Sequence, residues 1–182
     1  MTRNHIALIF FFLTLSLNAQ TDHKRFAGIP LCGTIEHFQT QLESKDFVAQ
    51  KLINKQLAVG SRLFKGIFAG RAGNVVAYYD TKDKEVYSAK VFYEGLTKQM
   101  AVDEQENLET LLEMKYGEEN TKESTDNNNK PTFTVTTPVG IIVCYLMCNA
   151  DLTDYPYHWS THVEFVDAAG FARHNANMLD DF

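Results

Sequence analysis

Phe38-Gln39-Thr40-Gln41-Leu42-Glu43-Ser44-Lys45 returns 70 residues later as Leu108-Glu109-Thr110-Leu111-Leu112-Glu113-Met114-Lys115. Thr40, Leu42, Glu43 and Lys45 coincide with Thr110, Leu112, Glu113 and Lys115. Any two amphipathic helices share Leu, Glu and Lys, so the match carries weight only if its surroundings repeat as well. The same offset lays Leu63–Gly70 on Phe133–Gly140 and brings the later strand signals within a few residues of register. Self-similarity at a fixed period is the signature of a duplicated unit. Each half is too small to bury one face of a sheet by itself. The order helix, three strands, helix, three strands therefore predicts an α+β fold. Two tandem helix-plus-three-strand repeats, 26–95 and 101–167, would form one antiparallel sheet with both helices on one face.

The elements around the two helices follow from local chemistry. Phe26-Ala27-Gly28-Ile29-Pro30-Leu31-Cys32-Gly33 reads as a turn with one buried extended step. Thr34 can cap the first helix, in which Ile35, Phe38 and Leu42 share a face opposite Glu36, Gln39 and Glu43. Phe47 closes that element, and 48–61 reads as a short extended stretch and loop. Leu63–Ala69, Asn74–Tyr79 and Val86–Tyr93 carry hairpin signals, with Asp80–Lys84 as a polar turn. In the third strand, alternation puts Tyr87, Ala89, Val91 and Tyr93 on one face. Asp103 and Glu106 suggest a capping box for the second helix, with Leu108, Leu111 and Leu112 as its buried stripe and Gly117 beyond its end. Glu118–Lys130 is polar and Asn-rich, which predicts a solvated loop. Thr132–Thr137, Gly140–Met147 and Tyr157–Val166 read as three more strands. Ile141–Met147 has no polar face, so it should be central and covered on both sides. The tail from Ala168 shows weak structure.

The first residues predict export. Arg3 precedes an apolar run from Ile6 to Leu17, and the small residue Ala19 follows. The run is about a dozen residues, short of the roughly 20 that span a bilayer. Residues 1–19 therefore read as a signal peptide cleaved after Ala19, leaving a single α+β domain, 20–182, in the periplasm or outside the cell. The chain holds 17 Lys+Arg against 23 Asp+Glu, a net charge of -6. An acidic surface repels phosphate backbones and anionic lipid, which argues against nucleic-acid partners and against docking on anionic membranes, while the shortness and cleavage of the apolar run argue against stable membrane insertion. Cys32, Cys144 and Cys148 make an odd set. Cys144 and Cys148 on one strand would stand about 13 Å apart, too far to bond. Cys32 paired with either of them, or three thiols, both remain open.

Phe26–Gly33, Leu63–Gly70, Lys115-Tyr116-Gly117 and the terminal Asp180-Asp181-Phe182 resemble an uncharacterised family of secreted proteins from Gram-negative, gut-type bacteria. The tandem helix-then-strands order also resembles the β-lactamase-inhibitory-protein and PepSY-like group. That second resemblance implies a periplasmic or secreted binding or inhibitor module, and it is one of fold alone.

Residues with chemical potential are few. His158, Ser160, His162 and Glu164 alternate along one strand, so they share a face. Two imidazoles and a carboxylate are zinc-ligand types. His158 and His162, however, would be about 13 Å apart and could not grip one ion. Cys144 with His162 or with His174 and Asn175 supplies the residue types of a cysteine hydrolase, but Cys144 lies in the most apolar run. Gly66, Gly70 and Gly73 lack the lysine of a phosphate loop and read as bulge and turn glycines. Asp151, Asp154, Asp167, Asp180 and Asp181 follow no EF-hand pattern. No cofactor is implied. Tyr78, Tyr87, Tyr93 and Tyr157 could build a sheet-face recognition surface, since Tyr is enriched at interfaces. The expectation is a non-enzymatic secreted binding module with a protein or envelope ligand. An exported hydrolase or metal-dependent enzyme, and a structural envelope component, are the alternatives.

Overall fold

The structure is a computed structural model in which residues 22–125, 131–149 and 155–180 are described. The leader expected over 1–19 lies outside them. The chain begins with a small hairpin, β1 (Arg25–Phe26) and β2 (Ile29–Pro30), followed by α1 (Ile35–Glu43). Then come β3 (Val48–Ala49), α2 (Lys51–Asn54), β4 (Ser61–Phe68), β5 (Arg71–Tyr79) and β6 (Val86–Leu96). The second half runs α3 (Lys98–Tyr116), a 3-10 turn at Glu118–Asn120, β7 (Thr121–Thr125), β8 (Pro131–Thr137), β9 (Gly140–Cys148), β10 (Trp159–Asp167) and α4 (Ala168–Leu179). An eight-stranded antiparallel sheet, ordered β3-β4-β5-β6-β10-β9-β8-β7, carries the fold. The α+β class and the large antiparallel sheet are as expected.

The core sits on one side of this sheet. Phe64, Val75, Val91, Val163, Cys144 and Phe133 occupy successive strands in register, and all are buried. Ile35, Phe38 and Leu42 of α1 join the same apolar cluster, as do Ala101, Leu108 and Leu112 of α3. Each fully buried side chain of this size contributes about 1.5–3 kcal/mol relative to exposure. Thr161 ties α3 to the sheet, its hydroxyl donating to the Ala101 carbonyl at 2.8 Å. Gly66 and Gly73 face each other across β4 and β5. A Cβ at Gly66 would stand 2.2 Å from a ring carbon of Phe47, and one at Gly73 would stand 2.8 Å from the Tyr93 ring. These two glycines make room for aromatic rings, a different role from the bulges and turns expected.

Several local expectations are corrected. Thr97, not Asp103, caps α3, its hydroxyl accepting from the Met100 amide. Gly95 (φ 71) lies at the register shift near the end of β6, the strand continues to Leu96, and Thr97 follows at once, so the helix starts a turn and a half before Asp103. Leu111 is 43% exposed and does not belong to the buried stripe. β7 occupies part of the stretch expected to be a loop, and α4 occupies the tail expected to be weakly structured. α2 adds a single turn within the stretch expected to be extended. β9 is interior but not covered on both sides, because Ile141 and Met147 are 38% and 44% exposed. A register shift at Tyr78/Tyr79 breaks the alternation at the start of β6. All three cysteines are free thiols.

Asp167 ends β10 and begins α4. Its buried carboxylate accepts from the Gly170 amide at 2.8 Å and from the Lys24 amide at 2.7 Å, and pairs with His23 at 3.1 Å. One side chain thus caps a helix and anchors the start of the described chain.

Candidate functional site

The sheet face opposite the core is built by the other parity of the same strands. Register aligns Lys65, Asn74, Phe92, His162, Tyr145 and Thr132 across it. Directly opposed antiparallel residues bring their Cβ atoms within about 5.5 Å, so three successive rings must meet. His162 lies parallel between two of them, with ring centroids 5.6 Å from Phe92 and 5.1 Å from Tyr145, both at 12°. The next row is Val76, Lys90, Glu164 and Val143. Tyr78, Lys90, Phe92, Tyr145 and Glu164 are all partly exposed.

Hydrogen bonds fix this patch. Ser88 donates to Glu164 at 3.0 Å, and Asn74 donates to Glu94 at 2.9 Å. The Lys90 ammonium lies 5.4 Å from the Tyr78 ring centre. Burial works against that ammonium, but its hydrogen bond to Tyr78 and the field of Glu164 outweigh burial and hold Lys90 above the ordinary lysine value. His162 Nε2 pairs with the Ser160 hydroxyl at 2.8 Å, while its buried Nδ1 has no partner. Burial, reinforced by Lys90, pushes His162 down to about 4.

A Ser–His pair invites comparison with hydrolytic catalysis. A triad needs a third group on the far imidazole nitrogen and a base with a pKa near the working pH. Nδ1 of His162 has neither a carboxylate nor any other acceptor, and a conjugate acid at about 4 is a weak base. Cys144 neighbours Tyr145 in sequence, so its thiol lies on the core face, away from His162. Burial raises that thiol well above its ordinary value. His174 is paired with Asp80 at 2.8 Å and stacked on Tyr87. His158 is held by the Tyr155 carbonyl and packs on Trp159, at the end of β10. Among the described residues, no three His, Cys, Asp or Glu side chains stand where they could share a metal ion. His158, His162 and Glu164 therefore remain separate. Asp151, Asp154 and Asp181 lie outside the described residues.

The four tyrosines expected to form a surface have separated. Tyr78 stands on the open face. Tyr87 is half-buried against α4, its ring centre 4.3 Å from His174 and 6.2 Å from Phe171. Tyr93 is only 3% exposed, on the core face, and its hydroxyl donates to the Phe68 carbonyl at 2.7 Å. It cannot serve as a surface residue, because its ring fills the space above Gly73. Tyr157 is exposed on the turn before β10, against Tyr155. The residues sequence reasoning passed over are Phe92, Lys90 and Tyr145. Their signal was present as the alternate positions to Tyr93, Val91 and Cys144.

Comparison of the chain with protein-family models, with curated proteins and with solved structures found no match. No helix among the described residues is long and apolar enough to cross a membrane.

Proposed function

We propose that this is an exported, non-enzymatic binding module that docks a protein ligand on the open face of its sheet, in the periplasm or outside the cell. The observation that carries this reading is the parallel Phe92–His162–Tyr145 stack, bordered by Lys90, Glu164 and Tyr78. Aromatic anchors held rigid before binding lose little entropy on docking, and such residues dominate interface energetics. Lys90 and Glu164 add one charge of each sign, which would set register with a complementary partner. The low pKa of His162 keeps the stack uncharged at neutral pH. A docked partner would need to cover about 800 Å² of this surface.

We attribute the architecture to duplication of a helix-plus-strands unit, with both helices on the core side. The support is that the buried Ile35, Phe38 and Leu42 of α1 precede the buried Gln105, Leu108 and Leu112 of α3 by 70 residues each. β4 and β8 begin at Ser61 and Pro131, the same interval. This order is what supports the likeness to the inhibitory-protein and PepSY-like modules.

The test is capture from envelope and culture-supernatant fractions with the 20–182 fragment as bait. The wild type is compared with Tyr145→Ala and with the charge reversal Lys90→Glu. A stoichiometric protein held by the wild type and lost in both variants is the expected result. Retention of that protein by both variants, or no stoichiometric capture by the wild type, refutes the docking face.

A further inference from the structure

A cavity of about 140 Å³ lies on the other side of the sheet, between the last turns of α3, the β1–β2 hairpin and the β4–β5 turn. Its walls are apolar and buried: Leu108, Leu112, Val163 and Phe165, with Phe68 at the side. Its rim is cationic, formed by the exposed Arg25 and Lys115 beside Tyr116. Behind Tyr116 stands a third cation. Lys24 is only 2% exposed, with its ammonium 4.7 Å from the Tyr116 ring centre; that of Lys115 is 5.3 Å from the same ring. The one hydrogen-bond partner of the Lys24 ammonium among the described residues is the Thr137 hydroxyl, at 3.1 Å. Burial, and then Lys115, push Lys24 down to about 8.

None of Lys24, Arg25 and Lys115 forms an ion pair among the described residues. A chain of net charge -6 has ample carboxylates to pair them. Arg25 and Lys115 therefore leave an unneutralised cationic rim at the mouth of an apolar cavity, and Lys24, buried behind Tyr116 where charges are ordinarily paired, adds to the same positive field. Two Ala-Gly turns, Ala27-Gly28 and Ala69-Gly70, border the opening, and their alanines put nothing larger than a methyl group over it.

We propose that this cavity binds a small amphiphilic carboxylate, with its apolar tail among Leu108, Leu112, Val163 and Phe165 and its carboxylate between Arg25 and Lys115. The volume sets the tail. A cavity of about 150 Å³ accepts a benzene ring, so the tail has the bulk of about six carbons. The site is separate from the open face, and its occupancy does not depend on a protein ligand there.

The experiment is isothermal titration of the intact 20–182 protein with butanoate, hexanoate, octanoate and octanol. Binding should be saturable and one-to-one. Affinity should rise about fourfold per methylene until the cavity fills. Octanol should bind at least about tenfold more weakly than octanoate, because it cannot form charge-assisted bonds. Lys115→Gln and Leu111→Glu both alter exposed residues and leave the core intact. Lys115→Gln should weaken octanoate about tenfold and leave octanol unchanged, whereas Leu111→Glu, at a residue that also lines the cavity, should weaken both ligands and octanoate the more. Absence of saturable octanoate binding, equal affinity for octanol, or insensitivity to both variants would each overturn the assignment.

Discussion

His162→Phe should stabilise the protein in mild acid while leaving its neutral stability nearly unchanged. Histidine ordinarily titrates at 6.5, whereas His162 in the folded chain titrates at about 4. Between those values the unfolded chain takes up a proton that the folded chain refuses. Stability therefore falls as pH falls through that window. The side chain is 7% exposed, so solvent screens little of the effect. From about pH 7 to about pH 5, the linkage relation gives a loss of roughly 2 kcal/mol from this one group. Phenylalanine cannot titrate, and it keeps a ring between Phe92 and Tyr145. It gives up the Ser160 hydrogen bond but also removes the unpartnered Nδ1, so neutral stability should move by less than about 1 kcal/mol. Burial disfavours the Asp80 carboxylate, yet hydrogen bonds from His174 and the Lys82 and Asp83 amides hold it at about 2. Its contribution disappears only below about pH 4, and it is common to both proteins. Urea unfolding of wild type and variant at the two pH values measures the difference. Equal pH slopes would show that His162 is accessible to protons in the folded state and would refute the reasoning. An NMR titration of His162 with a midpoint near 6.5 would do the same.

Gly66→Ala should lower stability by about 1–3 kcal/mol, because the new Cβ must displace the Phe47 ring; the urea midpoint reports it. Asp167→Ala strips the acceptor from two buried amides and the cap from α4, for a loss of roughly 2–4 kcal/mol in the same assay. Brief alkylation of native protein, followed by peptide mass spectrometry, should modify Cys32 and Cys148 and spare Cys144, whose thiol is fully buried. Denaturation should expose all three equally; native labelling of Cys144 would contradict the core assignment.

The sequence was most legible where structure is decided by near neighbours. Ile35, Phe38 and Leu42 recur at helical spacing, and all three are buried. The polar turn after Tyr79 and the glycine at 70 separate β4, β5 and β6 with little ambiguity. β7 was invisible because it is an edge strand whose Lys122–Thr125 are all exposed. Such a strand has no apolar alternation to read. α4 was missed because only Gly170 of its residues is buried, so it has almost no apolar stripe. For the candidate site, period-two alternation separated the two sets of β10 side chains correctly but said nothing of their neighbours. That His162 meets Phe92 and Tyr145 depends on which strands lie beside β10. In β6, the register shift at Tyr78/Tyr79 detached Tyr87 from Tyr93, a geometry no local pattern announces.

The strand order has a kinetic consequence. Every neighbouring pair in the large sheet joins strands consecutive along the chain, except β6 with β10. Six of the seven contacts between strands are thus short-range and can close quickly. The remaining seam joins partners such as Val91 and Val163, 72 positions apart, and must wait for a long loop to close. Folding should proceed as two quick meanders that search for one another. The rate-limiting event is the meeting of β6 with β10, so the middle of the finished sheet is the last part of it to be assembled.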